Sequence, residues 1–319
     1  NQHRGSQVFL QRRGPLLQLQ GLRIGAGQGL AIGEAEVLVS MYSGLLPGRS
    51  LTELRLRGLS LDLQQAADGR WSVRGLPQST GAGDPLDALR RLGELQVIGG
   101  QLAVHAPALG IDATLPRIDL RLRVQGDRLQ VGVRAWAQAE ALPLTAVLEL
   151  DRRKGNGQAW LGADPVDFQA WAPLLAGAGV RLREGKGELN LWLTLRDFAP
   201  VAVTTDSDLR GLRIEGAPMP GVAHPQVQLQ RLQARLRWQR QADGWVLQVP
   251  KLRLQGEDGA QQLDGLQVRL GRQLQISSGA VQAGTAVRAL ALSDRLDPGL
   301  RRWLYLARPQ LDVAALQVR

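Results

Sequence analysis

The sequence predicts a mainly β fold: an elongated, twisted antiparallel sheet curled into a hydrophobic groove, with about three short helices. Two observations predict it. Apolar and charged residues alternate with a period of two along much of the 319-residue chain, and successive side chains of a strand point to opposite faces of the sheet. Glycine beside aspartate or asparagine separates the alternating runs, as in hairpin turns, because these residues tolerate positive φ. About 15 to 18 strands, mostly joined as a meander, account for this pattern.

The clearest strand covers residues 117–124. Its apolar face comprises Ile118, Leu120, Leu122 and Val124, and its charged face Arg117, Asp119, Arg121 and Arg123. The same alternation recurs at residues 53–57, 188–196, 212–215 and 232–239. The apolar positions slip by one residue at Gly58 and near Arg231. Such a slip would turn the strand over, so a β-bulge or bend is predicted at both places.

Three helices are predicted, at residues 84–92, 164–175 and 297–306. Each stretch opens with Asp-Pro, which places aspartate at the N-cap and proline in the first turn. Pro173 limits the second helix, and the third has to end by Pro309. No apolar stretch approaches the ~18 residues that a membrane-spanning helix needs.

The domain organisation follows from the periodicity rather than from the length. The length alone favours about two domains, whereas the alternating pattern predicts one continuous β-groove segment over residues 1–319, with subdivision near residues 79–85 and 164–179. The chain does not begin with methionine and shows no signal peptide, so we expect it to be a segment of a larger protein.

The sequence contains few side chains of the types that bind metals or carry out catalysis. There is no cysteine, so thiolate metal sites and disulfides are excluded. The three histidines, His3, His105 and His224, are far apart in the sequence and are expected to be solvated or hydrogen-bonded. The glycine-rich residues 25–29 fail the dinucleotide-binding spacing because Leu30 occupies the third glycine position. We therefore predict no catalytic residues, no metal, no cofactor and no enzymatic activity.

The charge is strongly basic, with 39 Lys+Arg against 29 Asp+Glu and a net charge of +10. These charges are interleaved with acidic residues along many strands, and there is no basic tail or aromatic stacking platform, so nucleic acid is not predicted as a partner. The main interpretation is a solvated outer face of the sheet. Because the cations are almost all arginine, and its forked guanidinium binds phosphate oxygens in pairs, anionic lipid head groups are the one charged partner that we retain.

The apolar face of the sheet has to be hidden from water. A closed barrel, a two-layer sandwich or a trough filled by lipid acyl chains would each do this. The chain has only 8 Trp, 2 Tyr and 3 Phe, and a smooth lining of Leu, Val and Ile suits lipid tails. The predicted lining consists of Leu54, Leu56, Ile118, Leu120, Leu122, Val124, Leu191, Leu193, Leu195, Leu212, Ile214, Leu236 and Trp238. The alternatives are that these residues fill a closed core, or that the chain is a carbohydrate-active β protein.

Three segments resemble a known family. Residues 182–201, residues 68–77 with their Asp-Gly-Arg-Trp turn, and residues 294–319 with Arg302-Trp303-Leu304 ahead of Pro309 are similar to segments of the AsmA-like superfamily, in its YhdP branch. The resemblance implies a periplasmic, repeating β-groove with a hydrophobic inside, anchored in the inner membrane of Gram-negative bacteria by an N-terminal helix. It also implies transport of phospholipids to the outer membrane, without catalytic residues.

The resemblance sets the expected partners. They are phospholipid acyl chains, anionic head groups, the remaining segments of the same protein, and the inner membrane through an anchor outside this sequence. The alternative is a structural or assembly scaffold for outer-membrane biogenesis that binds proteins rather than lipid.

Overall fold

The fold is mainly β with three short helices, as predicted. The computed structural model describes residues 6–11, 14–24, 30–39, 52–66, 71–73, 94–107, 110–174, 180–279, 281–282, 284–294, 296–307, 312–313 and 316–318. The chain divides into two compact units, unit 1 (Asn1–Gly157) and unit 2 (Gln158–Arg319). That residues 1–319 form a single continuous groove segment stays a prediction, and its first subdivision point (79–85) lies outside the described residues.

Ten strands of unit 1 are described. They are β1 (Ser6–Gln11), β2 (Gly14–Ile24), β3 (Leu30–Val39), β4 (Thr52–Arg57), β5 (Ser60–Gln65), β6 (Trp71–Val73), β7 (Glu94–Ala106), β8 (Ile111–Gln125), β9 (Arg128–Trp136) and β10 (Leu144–Asp151). Neighbours along β1 to β4 and along β7 to β10 pair antiparallel. However, β4 and β5 both run parallel to β7. The sheet is therefore mixed, and this departs from the antiparallel meander expected from sequence.

Ten strands of unit 2 are described. They are β11 (Gly157–Asp167), β12 (Arg181–Arg196), β13 (Ala199–Glu215), β14 (Gln226–Gln241), β15 (Gly244–Gly256), β16 (Gly259–Leu270), β17 (Leu274–Ser278), β18 (Val281–Gln282), β19 (Asp312–Val313) and β20 (Leu316–Val318). From β12 to β17, each strand pairs antiparallel with the next. Tight turns such as Ala242-Asp243 join them, so the predicted hairpins are present in this unit.

Three helices are described: α1 (Phe168–Trp171), α2 (Gly284–Ala291) and α3 (Pro298–Ala307). The prediction for α3 is confirmed, since Asp297 Oδ1 accepts hydrogen bonds from the backbone N–H groups of Gly299 (2.9 Å) and Leu300 (3.0 Å). The prediction at 164–175 places its start wrongly. Pro165 belongs to strand β11, and α1 begins only after Asp167, whose carboxylate accepts from the Gln169 N–H at 3.1 Å.

One predicted helix has no counterpart among the described residues, and one described helix was not predicted. The helix expected at residues 84–92 lies outside the described residues. Helix α2 was not predicted at all.

The predicted phase slips are resolved by local breaks in the strands. Gly58, with φ 64°, separates β4 from β5, and the register of β14 against β15 shifts between Leu229 and Arg231. Gly99 and Gly211, both with φ 61°, make similar breaks in β7 and β13. Glycine adopts this left-handed conformation without a steric penalty. Each break therefore returns the apolar side chains to the same face after a slip that would otherwise bury polar ones.

Helices α2 and α3 are held against one end of the unit 2 sheet. Ala286 and Val287 of α2 pack on a buried cluster centred on Val249 and Leu263. The α3 side chain of Tyr305 both accepts from the backbone N–H of Gln226 (3.0 Å) and donates to its carbonyl (3.1 Å).

Arg301 fixes the two helices to each other. It is only 5% exposed and donates to the carbonyls of Ala291 (3.1 Å), Leu292 (3.4 Å) and Ala217 (2.8 Å). Two of these carbonyls end α2, where backbone acceptors lack partners within the helix. The third belongs to the segment that follows β13, so one buried cation joins α3, α2 and the sheet.

Candidate functional site

The candidate site is the apolar face of the sheet, described here for each unit separately. Residues paired in register on neighbouring strands point to the same face, so the strand register defines this surface. In unit 1 one row crosses five strands and consists of Leu54, Leu95, Leu122, Val131 and Leu148. The next row consists of Leu56, Val97, Leu120, Val133 and Ala146. At backbone level, Val37 of β3 continues the first row beside Leu54.

The apolar face of unit 2 is equally continuous. One row crosses six strands, from β12 to β17, and consists of Leu193, Val203, Trp238, Leu247, Val268 and Ile276. At ~4.8 Å between strands, this row is about 24 Å long. A second row starts at Leu191 and reaches Leu236 through Thr205. The pattern of alternate leucines in each strand thus becomes a ribbon of apolar side chains that runs across the strands.

The thirteen predicted lining residues fall into two groups by exposure. Four are buried: Leu56 at 7%, Ile118 at 4%, Val124 at 4% and Leu212 at 2%. The others, which are Leu54, Leu120, Leu122, Leu191, Leu193, Leu195, Ile214, Leu236 and Trp238, are half-buried. The register brings Leu54, Leu56, Leu120 and Leu122 together in unit 1, and Leu193 beside Trp238 across β13 in unit 2. That these residues contact lipid stays a prediction.

Several residues of the same face were not predicted as lining. They are Leu95, Val97, Val131, Val133, Ala146 and Leu148 in unit 1, and Val203, Leu247, Val249, Leu263, Leu266, Val268 and Ile276 in unit 2. Alternation within each strand could have identified most of them. What the sequence does not provide is the register that aligns Val97 with Leu120, because strand pairing depends on residues distant in the chain.

The opposite face carries ion pairs that join neighbouring strands. Arg121 donates two hydrogen bonds to the carboxylate of Glu94, from Nε to Oε1 at 2.7 Å and from Nη2 to Oε2 at 3.1 Å. Glu94 is 5% exposed. Burial is the largest single influence and acts to raise the pKa of Glu94, but the hydrogen bonds from Arg121 and Gln96 together with nearby arginine charge lower it overall. Glu94 is therefore an ionised partner within the sheet and has no raised pKa of the kind that a general acid needs.

A second such pair lies in unit 2. Arg231 Nε is 2.9 Å from Asp208 Oδ1, and its Nη2 is 2.5 Å from Oδ2. The hydrogen bond from Arg231 is the main cause that lowers the pKa of Asp208 to about 2, against the opposing effect of burial. Arg213 with Glu184 and Arg235 with Asp206 form further cross-strand pairs. In these four pairs the arginine side chains neutralise carboxylates on an adjacent strand.

The two described histidines lie beside carboxylates. His105 Nδ1 is 2.9 Å from Asp112 Oδ1, and its Nε2 is 3.6 Å from Asp62 Oδ1. His224 Nδ1 is 3.9 Å from Glu215 Oε1. Within the part of the chain that the structure describes, no group of three potential ligands is arranged to hold a metal ion. His3 lies outside that part.

A family model for the YhdP protein matches residues 11–319. This match covers nearly the whole chain, including both units. The chain belongs to the YhdP family. Neither a curated protein nor a solved structure is significantly similar to it. The resemblance seen in residues 68–77, 182–201 and 294–319 is thereby confirmed, and the YhdP family is a non-enzymatic one.

In unit 2 of this YhdP family member, the described apolar side chains are buried at one end of the face and exposed at the other. Under α2, Val249 is 4% and Leu263 8% exposed. At the opposite end of β16, Leu270 is 40% exposed, and its partner Leu274 at the start of β17 is 46% exposed. Among the helices described, none is long and apolar enough to cross a bilayer.

Proposed function

We propose that this chain is a periplasmic segment of an inner-membrane-anchored protein, and that its apolar face conducts phospholipids between the inner and outer membranes. The observation that carries the proposal is the six-strand row from Leu193 to Ile276, in which apolar side chains stay in register across β12 to β17. Membership in the YhdP family supports it. The partners are acyl chains, and the process needs no bond chemistry, cofactor or catalytic residue.

Several leucines of the apolar face are only half-buried. An apolar side chain that is fully covered by protein gains its hydrophobic stabilisation in the fold itself, at about 25 cal/mol per Å² of buried apolar area. Leu191, Leu193 and Leu236 remain half-buried, so part of that stabilisation is left for another apolar molecule. A lipid tail can cover the row from Leu193 to Ile276 at any position along it, because no side chain of this row carries a charge that would fix one site. Movement along the row then changes little in free energy.

The first experiment is lipid extraction and native mass spectrometry of the chain, purified from a Gram-negative host without detergent. We expect co-purified phospholipid at a stoichiometry of one or more per chain. A chain that is folded by circular dichroism yet carries no lipid, and takes up none from vesicles, would contradict the proposal.

The second experiment changes the row at one position. Leu193→Glu should remove most bound phospholipid and abolish transfer between vesicles, because an unpaired carboxylate in an apolar trough is costly. The matched control is Thr194→Glu, which places the same charge one residue away on the opposite, exposed face. Equal lipid binding by the two folded variants would show that Leu193 does not line the path. Leu120→Arg provides the corresponding test in unit 1.

A structural or assembly scaffold is the second candidate, and one observation favours it. Helices α2 and α3 carry four exposed large apolar side chains, which are Leu290 (56%), Leu300 (46%), Trp303 (58%) and Leu306 (52%). Exposed apolar side chains on adjacent helices are typical of protein contacts. A lipid-free chain that loses a stable protein complex on Trp303→Ser would favour the scaffold over the conduit.

A further inference from the structure

Arg240 is a charged residue on the apolar face of strand β14. Leu236, Trp238 and Arg240 alternate along β14 and therefore point to the same side. The register agrees, because Trp238 pairs with Leu247 and Arg240 with Trp245. Among the residues of β13 to β16, all of which the structure describes, Arg240 is the only charged side chain on the apolar face.

The surroundings of Arg240 form the open end of this face. Its row continues from Trp245 to Leu270 and then to Leu274. Leu270 and Leu274 are 40% and 46% exposed, and Arg240 itself is exposed. The next row inward, with Trp238, is half-buried, and the face is closed further along by α2. Exposure thus decreases from the arginine toward the helix.

This arrangement matches the chemistry of an anionic amphiphile. A guanidinium binds phosphate oxygens through two parallel hydrogen bonds. Tryptophan is enriched where an apolar region meets a polar one, and Trp245 and Trp238 occupy that level here. From Trp245 to Val249, beneath α2, the strand is about 13 Å long at ~3.3 Å per residue. Apolar surface is therefore available directly behind the charge.

We propose that Arg240 binds the phosphate of an anionic phospholipid whose acyl chains lie over Trp238, Leu247 and Val268, with their ends toward α2. This inference rests on the proposed function and adds to it the charge of the substrate and its orientation on unit 2. Arg237 lies three residues away on the opposite face, where Gln239 and Arg235 also point. It therefore offers a matched control of the same charge.

The test measures binding of two tail-labelled lipids, phosphatidylglycerol and a diacylglycerol with the same chains, by the full chain and its Arg240→Gln and Arg237→Gln variants. We expect Arg240→Gln to weaken phosphatidylglycerol binding by about tenfold to a hundredfold, the range typical of a charged hydrogen bond. Its affinity for diacylglycerol should stay unchanged. Arg237→Gln should bind both lipids like the wild type, and the salt dependence of phosphatidylglycerol binding should decrease only in Arg240→Gln.

The outcomes separate this inference from the proposed function. If the wild type binds both lipids and the two variants are indistinguishable, the role of Arg240 is wrong while the conduit stands. If the wild type binds neither lipid, the conduit itself fails, and this inference fails with it. The remaining measurement is competition by inorganic phosphate. If it competes with phosphatidylglycerol at millimolar concentration in an Arg240-dependent manner and no lipid chain adds affinity, the site serves free phosphate and the lipid assignment is overturned.

Discussion

Replacement of Arg301 by methionine is the sharpest test of how the two helices are held on the unit 2 sheet. The side chain is 5% exposed and donates three hydrogen bonds to carbonyls, at 2.8, 3.1 and 3.4 Å. Hydrogen bonds from a charged donor contribute about 1.5 to 3 kcal/mol each, and the charge also interacts favourably with the C-terminus of α2. Methionine avoids the cost of burying a charge, which offsets part of the loss. We expect the free energy of unfolding of unit 2 to fall by about 2 to 4 kcal/mol.

The measurement is urea denaturation combined with hydrogen exchange of the α2 amides. Arg302→Met is the control, because Arg302 is adjacent and exposed, and it should change the free energy by less than about 0.5 kcal/mol. Hydrogen exchange is needed because a chain with two compact units need not unfold in one step. If Arg301→Met matches Arg302→Met in both stability and α2 protection, the helices are held by apolar packing alone and the reasoning is refuted.

Two further predictions concern the sheet. The pKa of folded Asp208 lies near 2, below its ordinary value of 3.8. The ionised carboxylate therefore contributes stability above pH 4, and this contribution is lost as the pH falls toward 2. After allowance for solvent screening, we expect the contribution to the free energy of unfolding to be about 1 kcal/mol. The difference in unfolding free energy between wild type and Asp208→Asn should therefore shrink over this range, and a constant difference would contradict the assignment. Gly187 has φ 150° and a Cβ there would lie 2.1 Å from the Asp208 carbonyl oxygen, so Gly187→Ala should cost about 2 to 4 kcal/mol in thermal or urea unfolding. Gly132→Ala, with no atom within 4 Å of the added carbon, should be nearly neutral.

The strands were predictable because alternation is a local property of the chain. Residues 117–124 lie within β8 as expected, with Ile118 and Val124 buried and Arg117 exposed over the ring of Trp136 at 4.1 Å. The parallel docking of β4 and β5 on β7 was not predictable in this way. Alternation specifies which side chains share a face, but it carries no information about which distant strand lies alongside.

The helices show the limits of local rules more clearly. The same Asp-Pro pair opens α3 at Asp297 but lies inside β11 at Asp164. The difference arises one residue later, where Val166 is 2% exposed and stays in the sheet. Helix α2, with sequence GTAVRALA, begins with glycine and threonine, which are poor helix formers. It forms because Ala286 and Val287 pack on the sheet, which is tertiary stabilisation that the segment alone does not reveal.

The positions of the arginines explain more than their number. On the polar face, a forked guanidinium spans the gap to a carboxylate on the next strand, as Arg121 does with Glu94 and Arg231 with Asp208. Lysine cannot form such two-point contacts, so a sheet that stabilises its polar face in this way enriches arginine whatever its partners are. The net charge of +10 is therefore weak evidence for an anionic ligand. Arg240 is different because, within the described strands β13 to β16, the apolar face around it contains no carboxylate. Its exposed charge is explained either by a ligand or by water alone. Measuring phosphatidylglycerol binding of Arg240→Gln against Arg237→Gln decides between these two explanations.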